Sequence, residues 1–533
     1  MVKINKNKDN KNRKRICLKL ADIFFLLMIS LLIFPVSAPA INEAKDITKE
    51  ELVLSLEECI DLALKRNLDI IVEKINPRIQ EMEIVKEKAV FDPFLTLELR
   101  NSETINRSTS IISGAGRQKW IGRFLGWEDN LEQESFDFNA SLAKKIITGG
   151  QCELKFTNNR FATNSFYQYN DKTYLSTVTF SLFQPLLRNF GINFNKTKIK
   201  IASNNRDIST DDLKLKITVI ISELQEIYWD LVATIEELKV RYQSLELARN
   251  LLERNNALVE AGRLAPVAIL QAETGVASRK EGVLLAKNAA ITAQDRLKRT
   301  IDLLGDPYQS DTSIVPSETP RFIEKKIDLA ESFKTALNNR SDFNQARIAL
   351  ANQRLIFDSA KNQLLPKLDL MASYSMNGTD SGYRRNLDDL SEGDKYSWEA
   401  GILLEVPLGN RWAKSQYSQE KMRISMAEIE LNDLKKNIFL EVKETAREIE
   451  TNRERIKVTQ SARILAEKKL KAEEERFKLG RSTTTDLLKF QEELSQAKSN
   501  ENRALIDYQK SLVRWEAATG QSLKKHYIEI ASH

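Results

Sequence analysis

The sequence predicts a mainly α-helical chain that is duplicated internally, with long helical hairpins joined to groups of strands. Helix breakers are scarce, with 18 Gly and 11 Pro among 533 residues, while 29% of the residues are charged, which is typical of long helices. Two stretches, 192–261 and 410–479, contain neither Gly nor Pro. The segment 63–99 also matches the segment that lies 273 residues later, without a gap.

The first forty residues predict an export signal. A basic stretch ends at Lys19, an apolar run covers 23–36, and Ala38-Pro39-Ala40 supplies small residues for cleavage. The apolar run is shorter than the roughly 20 residues that a membrane-spanning helix needs. We therefore expect residues 1–40 to be a signal peptide that is removed. The alternative is an uncleaved membrane anchor.

The chain without this segment is expected to be close to neutral. Residues 1–40 hold eight of the 81 basic residues and two of the 75 acidic ones, so the remainder carries 73 of each. This balance argues against a nucleic-acid partner, because phosphate contacts need surplus Lys and Arg. The two histidines, His526 and His533, lie in the tail, which argues against a histidine base or a His-ligated metal. Cys59 and Cys152 leave a disulfide open but make no zinc site. We therefore predict no catalytic, cofactor-binding or metal-binding residues.

The duplication divides the chain into two structural repeats. We place them at 41–305 and 327–520, with a linker at 306–326 and a C-terminal tail at 521–533. Each repeat is predicted to contain, in order, an opening helix, strands, a very long helix, a turn and a return helix. Chance similarity between helical segments is the alternative, and shared prolines and glycines argue against it. The shared residues are Pro93 and Pro366, Pro185 and Pro407, Gly262 and Gly480, and Gly305 and Gly520.

The helices of the two repeats are predicted to have matched lengths. Each stretch without Gly or Pro would be roughly 100 Å long if helical throughout. Return helices are expected at 266–304 and 482–519, and single opening helices at about 55–91 and 328–365. One opening helix stacked on one return helix would match one long helix, which suggests a uniform wall of paired helices.

Alternating apolar and polar residues predict strands beside Pro93, Pro185, Pro366 and Pro407. Such runs of about ten residues fit a transmembrane β-barrel, and they fit equally well a soluble antiparallel sheet with one solvent-exposed face. An export signal together with a barrel points to an outer membrane. Four strands cannot close on themselves and lipid does not tolerate an open edge, so the chain must oligomerise. Three copies would give twelve strands.

The first repeat has extra material between its matching strands, at about 101–174, where the second repeat has only 377–397. Within it, alternation at 136–142 and 153–156 surrounds a possible turn at 148–150. This predicts an added hairpin. Whether it enters the barrel, lengthens existing strands or caps the mouth stays open.

Together these features resemble the TolC family of outer-membrane efflux and secretion channels, over about residues 54–520. The family opening resembles LSLEECIDLALKRN at 54–67, in which Cys59 stands where the family usually has a small residue. The strand-to-helix joins resemble QPLLRNFG at 184–191 and VPLG at 406–409, and the turns resemble GRLAP at 262–266 and GRSTT at 480–484. The duplicated order of elements is the most specific part of the resemblance.

The resemblance implies a homotrimer whose twelve-stranded β-barrel sits in the lipid of the outer membrane and whose α-helical barrel projects into the periplasm. It implies the exit duct of a tripartite efflux pump or a type I secretion system. The partners would be a periplasmic adaptor (membrane fusion) protein and an inner-membrane pump or ABC exporter, without a cofactor. The alternative is a periplasmic coiled-coil scaffold without a pore. An enzyme with a carboxylate pair ranks third, because no spacing singles out an acid pair.

The candidate functional residues lie at the two hairpin turns. Glycine suits the left-handed position that ends a helix, and proline suits the first turn of the next one. Asp486 follows the second turn, where Ala268 follows the first. It is either an acid favoured by the helix dipole or one of three carboxylates that form a periplasmic gate. By the resemblance the turns face the adaptor, so we expect docking through Gly262, Arg263, Leu264, Gly480, Arg481 and Ser482.

Overall fold

The computed structural model describes residues 51–107, 130–165, 168–303 and 312–528. The predicted signal peptide lies outside these residues, as do parts of the predicted linker and tail. The helices are α1 (Leu56–Arg66), α2 (Leu68–Glu73), α3 (Asn76–Lys88), α4 (Ile192–Asn195), α5 (Thr197–Glu260), α6 (Val267–Thr300), α7 (Leu329–Asn339), α8 (Ser341–Gln363), α9 (Tyr383–Glu392), α10 (Arg411–Lys478), α11 (Thr484–Ala518) and α12 (Ser522–Lys525). The strands are β1 (Glu51–Leu54), β2 (Phe94–Arg107), β3 (Asn130–Lys145), β4 (Gln151–Thr163), β5 (Lys172–Pro185), β6 (Ser313–Pro316), β7 (Lys367–Asp380) and β8 (Tyr396–Glu405).

Each repeat is organised around one very long helix and its shorter return helix. Helix α5 has 64 residues and α10 has 68, which is about 96 and 102 Å at 1.5 Å per residue. The return helices α6 and α11 have 34 and 35 residues. Among the described residues, no helix is both long enough and apolar enough to cross a bilayer. The prediction of duplicated long helical hairpins joined to strands is confirmed.

The opening helix of each repeat is broken, which corrects the prediction of one continuous helix. Corresponding breaks fall at Asn67 and Arg340, which are 273 residues apart and have extended backbone, with ψ of 121° and 126°. The first repeat has a further break at 74–75, between α2 and α3. Asn67 Nδ2 donates to the carbonyl of Thr300 at 3.0 Å, and Arg340 Nη1 donates to the carbonyl of Ala518 at 3.0 Å. Both acceptors end a return helix, where the last carbonyls lack partners within the helix. The break therefore places a side chain that caps the return helix.

The main hydrophobic core surrounds the middle of α5, against α1 and the end of α6. Cys59 is fully buried there beside Ile60 and Ala63. Burial raises the pKa of the Cys59 thiol to about 12, so it acts as a small apolar side chain. Cys59 and Cys152 are both free thiols, so the disulfide that the sequence left open is not formed.

Two buried tyrosines hold the segments that connect the repeats. The Tyr228 hydroxyl donates to the carbonyl of Leu54 at 3.2 Å, next to the small sheet in which β1 pairs with β6. The Tyr508 hydroxyl donates to the carbonyl of Ile323 at 2.8 Å and accepts from the amide of Lys325 at 3.3 Å. Strand β6 lies inside the predicted linker, so part of that linker is ordered by pairing.

The six longer strands form one antiparallel sheet in the order β2-β3-β4-β5-β7-β8. Strands β3 and β4 lie within the extra segment of the first repeat and pair between β2 and β5. The count of four strands per chain was therefore too low. The expected total of twelve strands for three copies was calculated from four strands per chain, so it does not hold for a chain with six. Strands β2 and β8 are the two edges of the sheet.

Candidate functional site

Both helical hairpins end in the same turn, built on a glycine in the left-handed conformation. Gly262 has a φ of 66° and Gly480 a φ of 70°. The amide of each glycine donates to the carbonyl three residues back, at 2.9 and 3.0 Å. The amides of Arg263 and Arg481 donate to the carbonyl five residues back, at 2.8 and 2.9 Å. This is the Schellman arrangement, which satisfies carbonyls at the helix end.

The glycines are required by backbone conformation and not by lack of space. A Cβ atom added to Gly262 or Gly480 would meet nothing within 4 Å. An L-residue at this φ is strained by roughly 1 kcal/mol, because its Cβ approaches the following carbonyl. The surroundings of both glycines are therefore open to solvent or to a partner.

The predicted docking residues divide into exposed and structural ones. Arg263 and Arg481 are exposed, as are the two glycines, whereas Leu264 and Ser482 are half-buried. The Ser482 hydroxyl donates to the buried carboxylate of Glu473, so Ser482 serves to hold the turn.

Sequence reasoning missed three exposed apolar side chains at the same place. Leu479 is 71% exposed, Val267 is 57% exposed and Leu270 is 63% exposed. Leu479 precedes the glycine of the second turn, where the first turn has Ala261. The signal that could have identified Leu479 is a large apolar residue at a helix end, next to a turn, where the chain offers no core for it to pack against. The tip surface is defined here as Arg263, Val267, Leu270, Leu479 and Arg481.

Buried polar side chains tie the first hairpin to the second near these turns. Asn255 of α5 is fully buried and its Nδ2 donates to the carbonyl of Ala268 at 3.1 Å and to Thr484 Oγ1 at 3.0 Å. Arg279 of α6 donates to the carbonyl of Leu488 in α11 at 3.0 Å, and its burial lowers its pKa. These bonds bring the turns of both repeats together at one end of the hairpins. No spacing in the sequence indicates such contacts, because their partners are distant along the chain.

Asp486 lies in the first turn of α11 and is exposed. Its amide donates to Thr483 Oγ1 at 3.2 Å, and the Thr483 hydroxyl donates to Asp486 Oδ2 at 2.7 Å. Within the described part of the chain, Asp486 forms no ion pair with Arg481. Ala268, at the matching place in the first repeat, is buried. Asp486 thus has the position of a helix-terminus acid, and a role in a gate stays a prediction.

Comparisons with known proteins show a similar fold in several solved outer-membrane channels. Residues 333–521 match the family model described as outer membrane efflux protein. No curated protein is significantly similar to the chain in sequence.

Solved structures match over most of the chain. The CmeC outer membrane channel of Campylobacter jejuni has 16% identity and a TM-score of 0.61, over 90% of each chain. The open MtrE channel of Neisseria gonorrhoeae has 16% identity and a TM-score of 0.59, over 88% of this chain and 89% of that one. The outer membrane protein VceC of Vibrio cholerae has 15% identity and a TM-score of 0.59, over 87% and 96%. At these identities the likeness shows the fold.

Proposed function

We propose that this chain acts as an outer-membrane exit duct. The proposal is supported by its fold, which is that of TolC-family channels, and by its match to the outer membrane efflux protein domain. Three copies form the duct, which passively conducts substrate from a periplasmic adaptor and an inner-membrane transporter to the exterior. The transporter is a pump or an ABC exporter of an efflux or type I secretion system. The observation that carries this proposal is a sheet with one apolar face and two open edges, joined to long helical hairpins. The alternative scaffold would not need such a sheet.

The open edges of the sheet support assembly of several copies. Leu97 on β2 is 64% exposed and Ile402 on β8 is 68% exposed, so apolar side chains reach both edges. In lipid each unpaired backbone group of such an edge costs several kcal/mol. Pairing between copies satisfies these groups.

Exposed apolar rows on the helices support the same assembly. One row begins at the N-cap of α3 and continues along it, and another lies on α10. In each row the residues are four and then three positions apart. This spacing places the members of a row on one helix face. A neighbouring copy would remove these faces from water. The first row is Ile75, which immediately precedes α3, with Ile79 and Met82 on α3; the second row is Met422, Met426 and Ile429 on α10.

The tip surface supports docking of an adaptor. Leu479, Val267 and Leu270 are exposed next to the basic Arg263 and Arg481. An apolar patch with a charged rim is typical of a protein interface. The partner that fits it presents apolar side chains beside acidic ones.

Outer-membrane extraction tests the assembly. The protein should fractionate with the outer membrane, and crosslinking with mass measurement in detergent should give three copies. Ion conduction by the purified protein in a planar bilayer separates a duct from a scaffold. A stable, water-soluble monomer that conducts no ions would overturn the proposal.

A role of Asp486 in a gate predicts block of the channel by cations. Threefold symmetry would bring three Asp486 carboxylates around one axis, where like charges in a narrow pore concentrate counter-ions. A multivalent cation added from the periplasmic side should block single-channel current, and Asp486→Ala should weaken the block by at least tenfold in concentration. Lys489→Ala, on the same helix, changes the surface charge in the opposite direction and should not weaken the block. Equal block in Asp486→Ala would leave Asp486 as a capping residue only.

A further inference from the structure

We infer that the inserted hairpin β3–β4 is part of the membrane wall, so that three copies close a barrel of eighteen strands through contacts between β2 of one copy and β8 of the next. This inference rests on the proposed trimer. Barrel diameter grows roughly in proportion to strand number, so the bore would be about 1.5 times as wide as that of twelve strands.

One face of the sheet has a band of apolar side chains that crosses all six strands, the inserted pair included, whereas the part of that face nearer the open end of the inserted hairpin holds polar residues such as Asn158 and the Arg160–Glu134 ion pair. Because side chains alternate between faces, an insertion displaced by one residue would have put polar side chains on this face. The register instead continues the apolar face through the insertion. The row of paired residues at the level of Leu95 runs through Leu142, Leu154, Phe180, Tyr374 and Trp398.

The opposite face is polar across the same six strands. Its side chains also bond across the inserted strands: Asn139 Nδ2 donates to Glu98 Oε2 at 3.1 Å, and Asn159 Nδ2 donates to Asp137 Oδ1 at 2.6 Å. This face suits a water-filled lumen, since interior and lipid-facing residues alternate along barrel strands. The neighbouring row of paired residues is Thr96, Ser141, Lys155, Thr179, Ser375 and Ser397.

The turn of the inserted hairpin is fixed to the join between sheet and helices. The Thr148 carbonyl accepts from the amide of Gly191 at 3.0 Å, and the Thr148 hydroxyl donates to Gln184 Oε1 at 2.8 Å. Gly149 has a φ of 101°, and a Cβ there would lie 2.4 Å from the carbonyl oxygen of Asn189. Only glycine fits this close approach. The hairpin is therefore docked at its turn as well as along its strands.

The inserted hairpin is also linked, through β5, to the connection between β7 and β8. Helix α9 lies there on the apolar side of the sheet, and Asn386 donates to the Ser176 hydroxyl at 2.6 Å. Ser176 in turn donates to Asn158 Oδ1 of the inserted strand β4 at 2.9 Å. A Cβ on Gly378 would lie 2.3 Å from the carbonyl oxygen of Asn386, so helix and sheet are in close contact. The insertion is thus bonded to the original strands by side chains as well as by strand pairing.

The directions of the edge strands β2 and β8 indicate that each edge pairs with another copy of this chain. All neighbouring strands are antiparallel, so an even number of strands leaves β2 and β8 running in opposite directions. Edge β2 of one copy can therefore pair antiparallel with edge β8 of the next, with apolar faces on the same side. With strands about 4.8 Å apart and tilted by about 40°, eighteen strands give a backbone diameter of about 36 Å, and twelve give about 24 Å.

Distances between spin labels test the strand number. Ser373→Cys on β7 places one label per chain on the polar face, in a background without the three native cysteines. Three labels on a circle lie √3 radii apart, so pulsed electron paramagnetic resonance should give about 31 Å between backbones for eighteen strands and about 21 Å for twelve. The matched variant lacks residues 130–163, which leaves β2 antiparallel to β5 with the same faces. Its distance should be shorter by about one third.

The outcomes separate this inference from the proposed function. A distance near 21 Å in the full-length protein would overturn the eighteen-stranded barrel and leave the trimer. No dipolar coupling between labels would overturn the trimer itself. Labelling in the full-length chain provides a second measurement if the deletion does not assemble. A water-soluble maleimide should modify Thr157→Cys, on the polar face of β4, at least tenfold faster than Phe156→Cys on the apolar face. Equal rates would contradict a membrane position of the hairpin.

Discussion

Ile402→Lys should remove the trimer from the outer membrane, whereas Leu403→Lys should leave it in place. Both residues lie on edge strand β8, but their side chains are on opposite faces. Ile402 pairs with Leu370 on the apolar face, and Leu403 pairs with Asp369 on the polar face. A lysine on the lipid face near the bilayer midplane costs about 2–4 kcal/mol, and it would enter three times in a trimer. A lysine on the polar face stays in water beside an acid.

The measurement is the amount of detergent-resistant trimer in the outer-membrane fraction. We expect at least a tenfold loss for Ile402→Lys and less than a twofold change for Leu403→Lys. The two variants have the same charge, the same strand and adjacent positions, so each controls for the other. Equal loss in both would indicate that β8 does not have one lipid face and one water face. Loss only in Leu403→Lys would reverse the assignment of the faces.

Leu479→Glu combined with Val267→Glu should abolish export while the trimer assembles normally. Both side chains belong to the tip surface and are more than half exposed, so the substitutions remove little packing inside the chain. An acid in place of an apolar contact at the centre of an interface costs about 2 kcal/mol or more. We expect at least a thirtyfold reduction in export, measured as substrate retained by cells that carry the variant.

Two controls separate docking from the shape of the turn. Leu479→Met keeps an apolar side chain and should export normally. Gly262→Ala with Gly480→Ala strains both turns by roughly 1 kcal/mol each. This double variant should have a lower melting temperature but should still export. Gly262→Glu with Gly480→Glu should abolish export, but strain and charge act together there. Normal export by a well-assembled Leu479→Glu, Val267→Glu variant would contradict docking at the tip surface.

Predictions from the sequence succeeded where a structure depends on local properties of the chain. The absence of Gly and Pro over 192–261 and 410–479 indicated helices α5 and α10, since a helix continues until a residue breaks it. Gly262 and Gly480 indicated the turns, and both have the positive φ that a left-handed helix end requires. The prediction of one continuous opening helix failed at Asn67 and Arg340. At each break the side chain forms a stabilising hydrogen bond to a backbone carbonyl in another helix.

The sequence by itself determined the duplicated helical hairpins, the alternating strands and the positions of the turns. Only the tertiary structure decided how many strands form the sheet, because alternation indicates that a strand has two faces and does not indicate its neighbour. It also decided that Asn255 and Thr484 join the two hairpins and that Leu479 is left exposed. These features depend on which residues meet in space after the long helices fold back. Period and composition are properties of one segment, whereas pairing and exposure are properties of two segments together.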